Sequence, residues 1–223
     1  MATLVLAHGW GFDHGVWDAV RARLSPAHRV ETVDFGFFGA PRQPKVGAGE
    51  TVIAVGHSLG ACWWLTQSPI PWHRLLLVNG FARFTEATDY VPAVAPRVLA
   101  RMRRTFAQSP RDVLAEFHAV CAAQQVPLGY GAPPPIADFD APRLAAGLGW
   151  LADWDGRARL AERAADVWAL AGGNDPIVPP GMSRAACAGL PAGRLAFADV
   201  AGHVLPLAAP DLCAEWIERI AAA

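Results

Sequence analysis

The sequence predicts an α/β fold, in which a mostly parallel sheet of about six strands is flanked by helices and interrupted by an all-helical insertion. Two observations predict it. Short apolar runs rich in β-branched residues alternate with segments of helical periodicity, as in strand-helix-strand units. Residues 81–155, in contrast, contain no convincing strand. With 223 residues, 53% of them hydrophobic and 17% charged, the chain can bury the core of one domain.

Six short apolar runs are expected to form the strands. They lie at residues 3–7, 29–34, 51–55, 74–79, 166–171 and 194–197. Continuous apolar runs of this kind are typical of parallel strands covered on both faces. Ligand sites in such sheets lie at the carboxyl ends of the strands, so the residues that follow each run are the candidates for chemistry.

Helices are expected where apolar residues recur at three- and four-residue spacing. One is predicted over 13–24, with Val16 and Val20 on one face, another ends at about residue 67, and a terminal helix begins at Pro210. The crossover at 40–50 is instead rich in Pro and Gly, although parallel strands are usually joined by a helix. One face of the sheet is therefore expected to be thinly covered there.

The insertion at 81–155 is expected to be helical throughout. Three helices are predicted, at about 92–107, 110–124 and 141–153. The triplet Pro133-Pro134-Pro135 breaks the helical pattern between the last two. We therefore expect a core of residues 1–80 and 156–223, with 81–155 forming a lid over the carboxyl edge of the sheet.

Composition excludes several classes of protein. A formal charge of -1 gives no footprint for nucleic acid, and no apolar run is long enough to cross a bilayer. The first apolar run is too short for a signal peptide, and no basic residue precedes it. The four cysteines lack the paired spacing of a zinc or redox site and are interpreted as buried small hydrophobes: Cys62, Cys121, Cys187 and Cys213. A reducing, cytoplasmic location is expected.

The pentapeptide GHSLG at 56–60 lies between an apolar run and a helical segment. This context is that of a nucleophile elbow, a sharp turn that holds a serine at the carboxyl end of a strand. Gly56 and Gly60 fit such a turn because side chains there would collide with neighbouring backbone. A chance match is the alternative, and the flanking strand and helix argue against it. Ser58 is the candidate nucleophile.

Ser58, Asp175 and His203 occur in the chain order Ser, Asp, His, each just after an expected strand. A neutral serine is a weak nucleophile, so it needs a base within hydrogen-bond reach. That base needs a carboxylate to fix its tautomer and to stabilise its charged form. We predict His203 as the base and Asp175 as its carboxylate partner.

Other residues compete for these two roles. Asp-Pro in a Gly-rich turn is common for structural reasons alone, so Asp175 could be a turn residue without a catalytic role. Asp199 or Asp153 could then be the carboxylate partner. For His203 the alternative is a surface-loop histidine. His57 adjoins the candidate nucleophile but is expected to point to another side of the turn. Four further histidines are expected on helices or surface turns: His14, His28, His73 and His118.

The oxyanion hole is expected to consist of the backbone N–H groups of Leu59 and Trp10. The residue after the nucleophile and the loop after the first central strand supply these donors in this architecture. That loop is HGWG at 8–11, whose glycines let backbone N–H groups face a ligand. Two interpretations of the Trp10 indole remain open, core packing and a wall of an acyl pocket.

Together these residues resemble the α/β-hydrolase superfamily and, within it, the BioH-type pimeloyl-acyl-carrier-protein methyl ester esterases. The features that carry the resemblance are His8-Gly9-Trp10-Gly11 with Trp17, Asp34 with Phe38-Gly39, the pentapeptide at 56–60, Asp175 with Val178-Pro179, and Gly202-His203-Val204-Leu205-Pro206. The resemblance implies a serine esterase of biotin synthesis with Ser58, Asp175 and His203 as its triad. It also implies that Trp10 and Leu59 lie at the oxyanion site and that Phe117 and Cys121, on a lid helix, line the acyl channel.

The sequence departs from that family at three places. The family usually has a hairpin before the strand at residue 3, a full helix in place of 40–50, and often Trp at the position of His57. These differences leave the expected chemistry intact and concern the identity of the substrate.

The predicted lid carries an excess of positive charge. Between Tyr90 and Arg111 the chain has five arginines and no acidic residue, and three of the arginines share a helical face: Arg97, Arg101 and Arg104. A carrier protein is acidic around its prosthetic arm, so a basic face could dock it. A solvated helix face without a partner is the alternative.

The sequence therefore predicts a monomeric or weakly associating α/β-hydrolase that cleaves a small-alcohol ester through an acyl-enzyme, without metal or organic cofactor. Its expected substrate is the pimeloyl methyl ester on the acyl-carrier protein. The alternatives are a carboxylesterase or thioesterase acting on free small molecules, and a binding module that keeps the pocket without turnover.

Overall fold

The computed structural model describes residues 2–123 and 139–223. Six strands in this part of the chain form one parallel sheet in the order β2-β1-β3-β4-β5-β6. They are β1 (Thr3–Ala7), β2 (Arg29–Val33), β3 (Val52–His57), β4 (Arg74–Val78), β5 (Val167–Gly172) and β6 (Leu195–Ala198). The predicted α/β fold and its six strands are confirmed.

Helices cover both faces of the sheet. They are α1 (Asp18–Arg21), α2 (Leu59–Thr66), α3 (Pro96–Gln108), α4 (Pro110–Ala123), α5 (Ala141–Asp153), α6 (Arg157–Glu162), α7 (Pro180–Ala186), α8 (Leu205–Ala208) and α9 (Pro210–Ala222). The helix predicted over 13–24 is shorter than expected. Asp13 accepts a hydrogen bond from Gly15 N at 2.8 Å and so caps a 3₁₀ turn, His14–Trp17, before α1 begins.

The three helices predicted within 81–155 are present as α3, α4 and α5, and α3 packs against both others. Their buried faces join the apolar cluster that covers one face of the sheet, through Leu99, Phe106, Leu114, Leu144 and Leu148. The predicted break at 133–135 lies outside the described residues. The division into a core and a lid stays a prediction.

The loop predicted at 40–50 is confirmed, since no helix joins β2 to β3. Aromatic side chains cover this face of the sheet instead. The Phe35 ring lies 5.8 Å from that of Trp63 on α2 and 6.1 Å from that of Trp150 on α5, and Trp150 stacks on Trp154 at 5.1 Å. A groove of about 550 Å³ remains beside them. Helix α5 therefore supplies part of the cover that a crossover helix would give.

All four cysteines are buried and free. Burial raises the pKa of the Cys62 and Cys187 thiols to about 12, which makes them unreactive at neutral pH. No helix in the described ranges is long and apolar enough to cross a membrane.

Helix α2 approaches the ends of β1 and β3 without room for side chains. A Cβ atom at Gly60 would lie 2.4 Å from the carbonyl oxygen of Ala7 and 2.6 Å from that of His8. A Cβ atom at Gly56 would lie 2.5 Å from the backbone N and Cα of Ala61. Since the obstructing atoms belong to the backbone, the helix and the strand would have to separate to admit a methyl group.

We expect Gly60→Ala to lower the free energy of unfolding by at least about 2 kcal/mol, because the added methyl group forces α2 away from β1. Urea unfolding would measure the change as a lower midpoint at constant slope. Gly189→Ala is the matched control, since no atom lies within 4 Å of its added Cβ, and should change stability by less than about 1 kcal/mol. Equal stabilities of the two variants would contradict this account of the turn.

Candidate active site

Ser58, the predicted nucleophile, lies at the turn between β3 and α2. Its backbone is in an unusual conformation for a residue other than glycine, with φ 52° and ψ -116°, as expected for a nucleophile elbow. Its N–H donates to the carbonyl of Val78 at 3.0 Å, which fixes the turn against the end of β4. The hydroxyl is thereby held at the carboxyl edge of the sheet and above the N-terminus of α2.

The structure brings the predicted base and carboxylate to this hydroxyl. Nε2 of His203 lies 3.1 Å from Ser58 Oγ, and Nδ1 of His203 lies 2.8 Å from Oδ2 of Asp175. Because a carboxylate can only accept, Nδ1 carries the proton and Nε2 is free to accept the hydroxyl proton of Ser58. Ser58, Asp175 and His203 are respectively 6%, 3% and 1% exposed.

Asp175 accepts four hydrogen bonds. Its Oδ1 receives the backbone N–H groups of Ile177 and Val178 at 2.8 Å each, and its Oδ2 receives His203 and the side chain of Asn79. Burial raises the pKa of the carboxyl, but the charge and hydrogen bond of His203 and the two backbone bonds outweigh it. The net pKa lies below its ordinary value, so the side chain is a carboxylate at neutral pH.

The competing residues lie elsewhere. Asp199 and Asp153 are both exposed, Asp199 in the turn after β6 and Asp153 at the end of α5. Neither makes the buried contact to the imidazole that Asp175 makes. His14 and His28 instead pair with the carboxylates of Asp34 and Glu218.

Two buried side chains that sequence reasoning did not assign also contact this site. Nε2 of His57 lies 2.9 Å from the carbonyl oxygen of His203, and Nδ2 of Asn79 lies 2.7 Å from Oδ2 of Asp175. His57 therefore contacts the backbone of the predicted base, a contact that sequence analysis did not predict. Asn79 follows β4, and its place at a strand end is the signal that could have identified it.

The predicted oxyanion donors belong to α2 and to the loop after β1, and their role stays a prediction. Leu59 is the first residue of α2, where backbone N–H groups have no partner within the helix. Trp10 lies in the loop after β1, and its indole Nε1 donates to the carbonyl of Leu144 on α5 at 2.8 Å. The indole is 3% exposed and meets the Phe117 ring edge-to-face at 4.9 Å. It therefore packs in the core, directly behind a residue of the groove described next.

A groove of about 400 Å³ runs between α3 and α4. Its lining is mainly apolar and consists of Val98, Arg101, Met102, Thr105, Val113, Glu116, Phe117, Val120 and Ile177. Of the lining residues, Phe117 approaches the predicted triad, since its ring lies 6.4 Å from that of His203. Cys121, in contrast, is absent from the lining and lies buried in the core beneath α4. Of the two residues expected to line an acyl channel, only Phe117 faces this groove.

Helix α4 also forms a buried hydrogen bond with the loop after β1. His118 is 3% exposed and its Nε2 donates to the carbonyl of Gly11 at 2.6 Å. Gly11 has a φ of 75° and is so close to Phe117 that a Cβ would lie 3.1 Å from that ring. Burial lowers the pKa of His118, which keeps the imidazole neutral. Sequence analysis missed this contact, because it depends on the rotation of α4 about its axis.

The predicted basic face is exposed on α3. Arg97, Arg101 and Arg104 lie opposite Leu99 and Phe106, which are buried. Neither these three arginines nor Arg103 forms an ion pair within the described part of the chain. Arg101 also lines the groove between α3 and α4, so the positive surface adjoins its opening.

The geometry is suited to acyl transfer. A hydroxyl, an imidazole and a carboxylate are hydrogen-bonded in series, as acyl transfer through a serine nucleophile requires. Residues 2–123 and 139–223 contain no group of three or more His, Cys, Asp or Glu side chains that could hold a metal ion.

Comparisons with known proteins agree with this chemistry. The chain is 31% identical to the pimeloyl-acyl-carrier-protein methyl ester esterase of Aromatoleum aromaticum, over 97% of each chain. It is 28% identical to the enzyme of the same name from Xanthomonas campestris, over 99% of this chain and 95% of that one. No family model matches the chain.

Among solved structures, an esterase from Exiguobacterium antarcticum superimposes with a TM-score of 0.76 at 18% identity, over 100% of this chain and 91% of that one. This likeness supports the α/β-hydrolase fold. The full-length sequence relationship is more specific, and by it the chain belongs to the family of pimeloyl-acyl-carrier-protein methyl ester esterases.

Proposed function

We propose that this protein hydrolyses the methyl ester of a pimeloyl chain carried on the acyl-carrier protein, a step of biotin synthesis. The observation that carries the proposal is the buried series Ser58, His203 and Asp175, with contacts of 3.1 and 2.8 Å. Family membership supplies the substrate, since the curated relatives are named for this ester.

The first half-reaction would form an acyl-enzyme. Ser58 Oγ attacks the ester carbonyl carbon as His203 Nε2 takes the hydroxyl proton, and the carbonyl oxygen becomes an oxyanion. The backbone N–H groups of Leu59 and Trp10 would bind this oxyanion. The bond to the methoxy oxygen then breaks, and His203 returns the proton so that methanol leaves.

Water would complete the second half-reaction. His203 takes a proton from water as the water oxygen attacks the acyl carbon, and the bond to Ser58 Oγ breaks with return of that proton to the serine. Asp175 stabilises the imidazolium in both steps and stays ionised throughout. The products are methanol and a free carboxyl group on the acyl chain, which stays attached to its carrier.

The groove between α3 and α4 is the best candidate for the acyl chain. Its volume of about 400 Å³ lies in the range of small-ligand sites, and its apolar lining suits methylene groups. The Phe117 ring on its wall lies 6.4 Å from that of His203, so the inner end of the groove lies near the proposed base. Cys121 would support this wall from beneath.

The carrier protein would dock on α3. Arg97, Arg101 and Arg104 supply exposed positive charge beside the groove, and an acidic partner would be attracted to that charge. The arm that bears the acyl chain would then enter next to Arg101. We also propose that the protein acts in the cytoplasm, which its four free cysteines favour.

Replacing any of the three residues of the proposed triad should abolish esterase activity. We expect Ser58→Ala and His203→Ala to lower kcat by about 10⁴-fold, and Asp175→Asn by about 10³-fold or more. Ser183→Ala is the matched control, since Ser183 is also buried but its hydroxyl has no hydrogen-bond partner in the described structure. Growth without biotin, in a strain lacking its own pimeloyl ester esterase, should be restored by the wild type and the control only. Failure of the wild type, with good esterase activity in vitro, would indicate a different ester.

The basic face should matter for the carrier-bound ester alone. We expect the triple change of Arg97, Arg101 and Arg104 to Ala to lower kcat/KM on that ester about 10-fold or more at low salt. Activity on p-nitrophenyl acetate should stay within about two-fold, because that substrate has no carrier. Changing Arg21, Arg29 and Arg219 to Ala removes the same charge from exposed positions outside α3. Equal losses in both triple variants would contradict docking at α3.

Activity should fall on acidification as a single group is protonated. Asp175 has a lowered pKa and stays ionised, while burial lowers the pKa of His57 to about 3 and keeps it neutral. Neither group therefore changes its charge as the pH falls from about 8 to about 5, and a proton on Nε2 of His203 would prevent this atom from accepting that of Ser58. We expect log kcat/KM for p-nitrophenyl acetate to decline with a slope of about one. A slope near two would show that a second group titrates.

A further inference from the structure

The loop that carries His203 has no regular secondary structure. It lies between the end of β6 at Ala198 and the start of α8 at Leu205. It fits closely against the end of β5, since a Cβ at Gly172 would lie 2.3 Å from the carbonyl oxygen of Gly202. The position of the imidazole therefore depends on what holds the backbone at residues 202 and 203.

Two side chains from neighbouring strand ends bind consecutive carbonyl groups of this loop. Nδ2 of Asn79, after β4, donates to the carbonyl of Gly202 at 3.2 Å. Nε2 of His57, the last residue of β3, donates to the carbonyl of His203 at 2.9 Å. Both side chains are fully buried, so water does not compete for either bond.

In both side chains the N–H donors form hydrogen bonds, whereas the acceptor atom does not. Nδ1 of His57 and Oδ1 of Asn79 have no hydrogen-bond partner within the described structure. Both are acceptors in the states that donate to the loop. Leaving a buried acceptor unpaired costs free energy. In both side chains that cost is accepted while the donor binds the loop that carries His203.

Asn79 has a second contact that gives it more than a packing role. The two hydrogens of its amide reach the carbonyl of Gly202 and Oδ2 of Asp175, which is the oxygen that receives His203. Its φ of 46° is a left-handed conformation that asparagine tolerates better than most residues. One amide thus connects the loop of the carboxylate with the loop of the imidazole.

We propose that His57 and Asn79 are positioning residues that hold the backbone of Gly202 and His203, so that the imidazole reaches Ser58 and Asp175 together. This inference rests on the proposed serine-esterase function and names residues that act through His203. It assigns no contact with substrate to either side chain.

The reactivity of Ser58 towards a fluorophosphonate, measured as a second-order rate constant, tests the proposal. We expect His57→Phe, which keeps a ring but has no donor, to slow labelling at least 10-fold. His57→Gln should stay within about three-fold of the wild type, because the glutamine amide nitrogen lies about where Nε2 does. If His57→Phe does not fold, His57→Leu removes the same donor. On p-nitrophenyl acetate the donor-free variant should lower kcat and leave KM within about two-fold.

Asn79→Gly removes the other donor and accommodates the left-handed backbone. It should also slow labelling at least 10-fold. Because both side chains hold the same loop, the double variant with His57→Phe should lose less than the product of the single losses. Losses that multiply would overturn the shared role.

The failures of the two proposals are distinguishable. Absence of labelling in the wild type, or labelling of Ser58→Ala, would overturn the proposed function itself. Labelling of His57→Phe as fast as the wild type, or equal slowing by His57→Gln and His57→Phe, would overturn only the positioning role. Thermal melting of each variant, with labelling well below its Tm, ensures that folded proteins are compared.

Discussion

The architecture of the site depends on how closely helix α2 approaches the ends of β1 and β3. The chain must turn from strand to helix at Ser58, whose backbone lies in a conformation that costs of order 1–3 kcal/mol. Burial offsets that cost, because residues 59–65 of α2 are all buried. The turn then sets the rest of the site. It places the Ser58 hydroxyl above the N-terminus of α2. It also brings Gly60 so close to the end of β1 that no side chain fits between them.

A second constraint is that the polar groups of this site lie within an apolar core. An unpaired buried polar group costs about 1–3 kcal/mol, so such groups are stable only as a connected set. Here the set runs from Ser58 through His203 to Asp175, and His57 and Asn79 join it from neighbouring strands. Asp175 accepts four hydrogen bonds, which is why a carboxylate can remain ionised there. The connections that satisfy burial are also those that orient the imidazole.

The fold and the three principal residues could be predicted from sequence, because each residue follows an apolar run and parallel strand ends meet at one edge of a sheet. The contact of His57 with His203 could not, since the two residues are 146 positions apart and one partner is a backbone carbonyl. The groove shows a different limit. Phe117 and Cys121 are four residues apart and therefore differ by only about 40° around α4. Phe117 nevertheless lines the groove while Cys121 lies in the core, and sequence spacing alone did not separate them.

Helices α4 and α5 hold the loop proposed to stabilise the oxyanion. His118 of α4 donates to the carbonyl of Gly11, and Leu144 of α5 accepts from the indole of Trp10. Moving α4 or α5 away from the sheet would break these buried bonds and shift the backbone that carries the Trp10 N–H. Donors that are already in place stabilise developing charge without reorganisation during the reaction. Helices α4 and α5 are therefore better suited to stay in place against the sheet than to move away from it during the reaction.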